Sequence, residues 1–228
     1  MSNTLKSNSA LTPPGGGAMP AMKRPTVLPM PTGVASDVKQ DIYLLRDVSG
    51  SMDGEKLTEL NMGSQDLLKE LGNKENKDGF RFSCLDFNHE ARWRMEHISA
   101  QEGQVPHAIA NGGTDFNAPL ALTLEALIAR KNRPNPERWF YLRPFVLFLS
   151  DGHARVDLDL VAEVSEYATL MAIAYGADAD QNELAKIASD GVVHRIGVDG
   201  GSLRQFFAEV GTTIGQERAE AEKKGSKG

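Results

Sequence analysis

The residues Asp47-Val48-Ser49-Gly50-Ser51-Met52 stand directly after a short apolar run, Ile42–Leu45. A carboxylate followed by hydroxyls two and four positions later offers three oxygens from one tight turn. That is the donor chemistry of a hard divalent cation. Two more loops hold oxygens to complete a shell: Gly112-Gly113-Thr114-Asp115, and Ser150-Asp151-Gly152 directly after the apolar run Phe145–Leu149. Other chemistries find less support. Phosphotransfer through Asp47 calls for an acid two residues on, where Ser49 stands. The histidines (His89, His97, His107, His153 and His194) lack the paired spacing of a zinc site. There is no Gly-x-x-x-x-Gly-Lys phosphate loop, and Gly15–Gly17 follows no strand. Cys84, the single cysteine, lies inside a strand with no base beside it, so it reads as core filler and excludes an intrachain disulfide.

The three loops need a scaffold, and the patterning predicts one. Ile42–Leu45 and Phe145–Leu149 are apolar throughout, as strands covered on both faces are. Between them Leu57, Leu60, Leu67, Leu68 and Leu71 form one helical stripe, and Phe80–Phe87 reads as a further strand. Ala91–Ile98 alternates like a half-exposed strand. Asn117 with Pro119 predicts a helix start, with Leu120, Leu124, Leu127 and Ile128 lining the helix. Helical and strand patterns then alternate through Leu158–Tyr167, Thr169–Ala174, Gln181–Ala188 and Val192–Ile196. Ser202 and Gln205 have the spacing of a capping box for a last helix with Phe206, Val210 and Ile214 on one face. Such alternation predicts an α/β fold with a mostly parallel sheet flanked by helices on both faces.

Composition bounds the function. With 228 residues, 40% apolar and 25% charged, the chain has one α/β domain of ordinary size and tails. Residues 1–40 read as a flexible Pro/Gly-rich arm, residues 41–215 as the domain and residues 216–228 as a charged tail. The net charge is −6 overall, although Lys6, Lys23, Arg24 and Lys39 make the arm basic. That balance argues against a protein built to grip nucleic acid or an anionic membrane. No apolar run approaches the roughly 20 residues of a membrane span, and the first residues lack a signal-peptide layout, so a cytoplasmic protein is expected. The segment 131–143 gathers Arg133, Arg138 and Arg143 with Trp139, Phe140 and Tyr141. Basic and aromatic side chains together suit a protein anchor or a stack on nucleic acid, with Arg138 and Trp139 the residues to test.

The loops also resemble a known family. Asp47, Ser49, Ser51, Thr114 and Asp151 match, in order, the metal-ion-dependent adhesion site of von Willebrand factor type A domains. The resemblance extends over about Asp41 to Ile214. Within the family, Tyr43–Met52, Leu85-Asp86-Phe87 and Pro144–Gly152 look most similar to the bacterial, tellurium-resistance-associated TerY-like group. Arg46 stands where that pattern has an apolar residue, and His153 lies outside the motif. The resemblance implies a Rossmann-like sheet of strand order 3-2-1-4-5-6 and a bound Mg²⁺, with Mn²⁺ as substitute. It implies that Ser49 and Ser51 ligate the ion directly, that Thr114 joins when a partner engages, and that Asp47 and Asp151 act through water. The expected function is non-catalytic: the ion docks an Asp or Glu of a protein partner. The implied setting is a bacterial stress response, with a kinase or phosphatase as possible company. Two rivals stand beside it. A metal-dependent phosphoester hydrolase would need Asp115 or His153 as base. A nucleic-acid adaptor would use the arm and the 131–143 segment.

Overall fold

The computed structural model describes residues 38–135, 139–199 and 201–225, with side chains as far as Lys223. The chain opens with strand β1 (Val38–Asp47), a 3₁₀ turn at Gly50–Met52, helix α1 (Glu55–Leu71), β2 (Phe80–Phe87) and β3 (Ala91–Ser99). It continues through α2 (Asn117–Lys131), β4 (Phe140–Tyr141), β5 (Phe145–Ser150), α3 (Leu158–Tyr167) and β6 (Thr169–Tyr175). It ends with α4 (Gln181–Ile187), β7 (Val193–Ile196) and α5 (Ser202–Gly225). The sheet runs β3-β2-β1-β5-β6-β7, with the two-residue β4 paired to the start of β1. Leaving β4 aside, this is the expected order. All pairings are parallel except β2 with β3.

Period-two alternation sorts β1 into two cores. Ile42 and Leu44 face α1 and α5, packing with Leu60, Leu67, Phe207, Val210 and Ile214. Tyr43 and Leu45 face the opposite layer, with Leu120, Leu127, Val164 and Leu184. Each fully buried Leu, Ile or Phe contributes roughly 1.5–3 kcal/mol, which is why strands apolar on both faces sit at the centre. The loops at the C-terminal ends of β1 and β5 therefore rest on strands buried on both faces.

Three local expectations are corrected. The strand β1 begins at Val38, within the segment read as arm, because Gln40 and Lys39 find partners: the Gln40 amide donates to Arg143 O at 3.0 Å, and Lys39 to Asp78 O at 2.7 Å. The rest of the arm, residues 1–37, lies outside the described residues, as do Arg138 and residues 226–228 of the tail. The tail from residue 216 is helical as far as Gly225, since the stripe through Ile214 continues to Arg218 and Ala221, both buried. Arg218 bonds Val38 O at 3.0 Å. The capping box at Ser202 is not formed either. Asp199 caps instead, accepting the Ser202 amide at 2.9 Å and the Ser202 hydroxyl at 2.6 Å.

At the N-terminal end of the sheet a buried carboxylate, Asp41, pairs with Arg130, and His97 Nδ1 lies 3.8 Å away. Burial, opposed by Arg130 and more weakly by Arg81 and Arg133, lifts the Asp41 carboxyl to about 6. Burial, then the positive charge of Arg133, Arg130 and Arg81, presses His97 down to about 4. A raised folded-state carboxyl favours folding at low pH, and that contribution is lost as pH rises from about 4 to 6. A depressed histidine does the reverse, and stability is lost as pH falls from about 6.5 to 4. The two oppose each other in one window. Asp41→Asn should therefore make stability rise more steeply between pH 4.5 and 6.5 than in the wild type, and His97→Gln should make it fall. Each should differ by about 1–2 kcal/mol in urea unfolding across that range. Parallel curves for all three proteins would mean that neither group titrates in the folded state.

Candidate metal centre

Parallel register brings the loops together before any side chain is considered. The strand β1 pairs with β5 so that Arg46 lies beside Leu149, which sets Asp47 beside Ser150 and Asp151 at the same edge. The turn after β1 is held to the 112 loop by Gly50 N–H donating to Gly112 O at 2.9 Å, and by Asn111 N–H donating to Val48 O at 2.8 Å. The loop is also clamped from below. The Asn61 side chain on α1 accepts the Ala108 amide at 2.7 Å and donates to the Ala108 carbonyl at 3.3 Å.

Asp47, Ser49 and Asp151 are buried, Thr114 is half-buried and Ser51 is exposed, so the carboxylates and Ser49 form the floor and Ser51 and Thr114 the mouth. Asp47 Oδ1 accepts the Ser49 amide at 2.8 Å, and Oδ2 accepts the Ser150 hydroxyl at 2.5 Å. Ser150 Oγ in turn accepts the Gly152 amide at 2.9 Å. Ser51 Oγ donates to Asp151 Oδ1 at 2.8 Å and lies 3.1 Å from Ser49 Oγ. Burial raises the Asp47 carboxyl above its usual range, and the Asp151 charge adds to this against the hydrogen bonds from Ser150 and Ser49.

Gly152 closes the arrangement. A Cβ there would come within 2.8 Å of Thr114 Oγ1 and 3.2 Å of Asp47 Oδ2, so the Thr114 hydroxyl and the Asp47 carboxylate converge over a position bare of side chain. All five residues read from the sequence thus share one cradle. Its donors are hydroxyl and carboxylate oxygens. Among the described residues no three His, Cys, Asp or Glu side chains stand close enough to hold a metal by themselves. Hard-oxygen donors with few carboxylates fit an ion of the Mg²⁺ or Mn²⁺ kind that retains water.

The secondary candidates are placed differently. Asp115 Oδ1 accepts the Asn117 amide at 2.8 Å in the turn before α2, whose N-cap position is held by Phe116 rather than by Asn117. Asn117 itself ties α2 to the loop before α3, donating to Arg155 O at 3.3 Å and accepting from Asp157 N–H at 2.8 Å. His153 is exposed at the rim, its Nδ1 3.6 Å from Asp180 Oδ2. Trp139 sits at the opposite end of the sheet, 4.8 Å under Lys39 Nζ and stacked edge-on with Tyr141. Two residues at the site were not singled out in the sequence. Ser150 was named only as part of its loop, because its hydrogen bond to Asp47 depends on the parallel register of β1 and β5. Lys56, whose Nζ lies 2.5 Å from Asp151 Oδ2, carried no signal, because its partner is far along the chain.

The model of the von Willebrand factor type A domain matches residues 41–208. Inter alpha-trypsin inhibitor heavy chain 4 of Mus musculus is 25% identical over 200 residues, covering 78% of this chain and 20% of that protein. The chain thus spans about a fifth of the curated relatives it matches. A von Willebrand factor type A structure from Catenulispora acidiphila superposes with TM-score 0.61 at 20% identity, covering 78% of this chain and 42% of that one. Proximal thread matrix protein 1 of the mussel byssus, described with a zinc-occupied MIDAS motif, has TM-score 0.57 at 18% identity, covering 78% and 48%.

Proposed function

The chain belongs to the von Willebrand factor type A family, typically metal-dependent protein-interaction modules, and on that premise we propose that it docks an acidic protein partner through a divalent ion. The reading rests on the convergence of Asp47, Ser49, Ser51, Thr114 and Asp151 in one cradle. Mg²⁺ is the proposed ion, with Mn²⁺ as substitute; the zinc described for the mussel protein makes Zn²⁺ the competitor to test. The hydroxyls of Ser49 and Ser51 would hold the ion, with Thr114 joining when a partner engages and Asp47 and Asp151 acting from behind through water. The ion would supply an open, Lewis-acidic position for a carboxylate from outside.

The chain's own residues support the division of labour. Ser51 donates its proton to Asp151 and accepts from Ser49, so one lone pair is left for an ion. Asp47 is held on both oxygens by the Ser49 amide and the Ser150 hydroxyl, which suits a positioning role. Among the described residues, the two bases that a hydrolase would call on are otherwise engaged: Asp115 Oδ1 accepts the Asn117 amide and His153 leans toward Asp180. The module is proposed as non-catalytic. The motif segments shared with the TerY-like group support a bacterial stress-response setting, with a kinase or phosphatase as the partner class.

The test is capture of partners from the native host on wild type and on Ser49→Ala/Ser51→Ala, each with Mg²⁺ and with EDTA. A partner retained only by wild type with Mg²⁺ is expected, and circular dichroism of the double variant should match wild type. A partner that survives both EDTA and the substitutions would overturn metal-bridged docking.

A further inference from the structure

Lys56 lies in the first turns of α1, its side chain 17% exposed, and its Nζ reaches 2.5 Å from Asp151 Oδ2 and 3.3 Å from Asp178 Oδ1. The Asp151 carboxylate is fully buried, and its other oxygen accepts the Ser51 hydroxyl at 2.8 Å. One oxygen of Asp151 thus serves the proposed ligand and the other serves an ammonium. The slot for that ammonium is built into the backbone. Gly176, at the end of β6, has φ +93°, and a Cβ there would lie 3.2 Å from both Cε and Nζ of Lys56. A larger residue would be strained in that conformation and would crowd the ammonium. The ammonium is thus flanked by two carboxylates, Asp151 and Asp178.

We propose that Lys56 is the resident counter-ion of the metal centre, lowering its affinity for divalent ions and keeping the occupied site net positive. The inference rests on the metal reading above. Asp47 and Asp151 bring two buried negative charges, the Lys56 ammonium cancels one, and Asp178, 64% exposed, is screened by solvent and counts for little at the ion. A divalent ion then leaves the site at +1, and an incoming carboxylate neutralises it. Without Lys56 the same ion would sit in a neutral site, bound more tightly and with less demand for an acidic partner. The ammonium also compensates Asp151 before any ion arrives, sparing a buried, unpaired carboxylate.

The full chain can be tested with Mn²⁺ alone as the probe, by isothermal titration calorimetry of wild type, Lys56→Gln, Lys56→Met and Lys56→Arg. Lys56→Gln, which can still donate a hydrogen bond to Asp151, is expected to bind Mn²⁺ about tenfold more tightly than wild type, and Lys56→Met at least as tightly as that. Lys56→Arg should stay within about threefold of wild type. In EDTA the two neutral variants should melt below wild type, and Mn²⁺ should raise their melting temperature more than it raises that of wild type. Unchanged or weaker Mn²⁺ binding by a folded Lys56→Gln would overturn the counter-ion role and leave Lys56 a structural strut. If wild type binds no Mn²⁺ at all, the metal reading fails, and this inference with it. The two failures are therefore distinct.

Discussion

Gly152→Ala is expected to fold normally and to lose about 100-fold in affinity for Mn²⁺. The backbone at Gly152 is not in the left-handed region, so alanine brings no conformational strain. Its Cβ would instead come within 2.8 Å of Thr114 Oγ1, closer than such contacts form, and tightly against Thr114 Cγ2 at 3.1 Å and Asp47 Oδ2 at 3.2 Å. Relieving the contact must shift Thr114 or Asp47, and so disturbs the support of the hydroxyl ligands. Disturbing such support costs roughly 10- to 100-fold in metal affinity. Gly113→Ala is the matched control, because a Cβ there meets nothing within 4 Å. Calorimetric titration with Mn²⁺, with thermal melts in EDTA alongside, checks both. Equal affinity for Gly152→Ala and wild type would show that Thr114 and Asp47 do not meet an ion at this position.

Asp86→Ala should destabilise the fold by about 3–5 kcal/mol, the cost of stranding a buried charge. Arg46 is completely buried and its Nε donates to Asp86 Oδ1 at 2.7 Å, while Nη2 donates to Pro106 O at 3.1 Å. Arg94 approaches the other oxygen of Asp86 at 3.5 Å. Burial raises the Asp86 carboxyl, against the opposing pull of Arg46 and then Arg94. Removing Asp86 leaves a guanidinium in the core with one carbonyl for company. Removing both charges is a different experiment. Arg46→Met with Asp86→Leu should return to within about 1 kcal/mol of wild type, because apolar replacements of similar volume substitute for a buried pair. Urea unfolding of the three proteins decides it. A loss below 1 kcal/mol for Asp86→Ala would mean that water already reaches the pair.

That pair shows where reading the sequence reached its limit. Arg46 is a departure from an apolar pattern, and sequence alone offers no partner for it. The partner is Asp86, brought beside it by the parallel register of β1 and β2. The same register logic hid Lys56, whose carboxylate partners come from the loops after β5 and β6. What was legible was local. The apolar runs at β1 and β5, the stripe of α1 and the alternation of β3 all depend on near neighbours, and they became the expected elements. The five cradle residues were legible because each follows or precedes a recognisable element. The end of α5 was misread because Arg218 occupies a stripe position that an aliphatic residue would have advertised. The cap at Ser202 was misread because Asp199, three residues upstream, outcompetes the box.

The contact between Arg218 and Val38 O joins the last helix to the first strand at the end of the sheet away from the cradle. Lys77 and Glu222, 3.2 Å apart, reinforce it. The strand β1 spans ten residues, about 30 Å at the usual rise, from that contact to Asp47. If the cradle docks a partner as proposed, a pull on Asp47 runs lengthwise along a strand bonded on both sides. Its ladder would be stressed in shear, all rungs together, rather than unzipped one at a time.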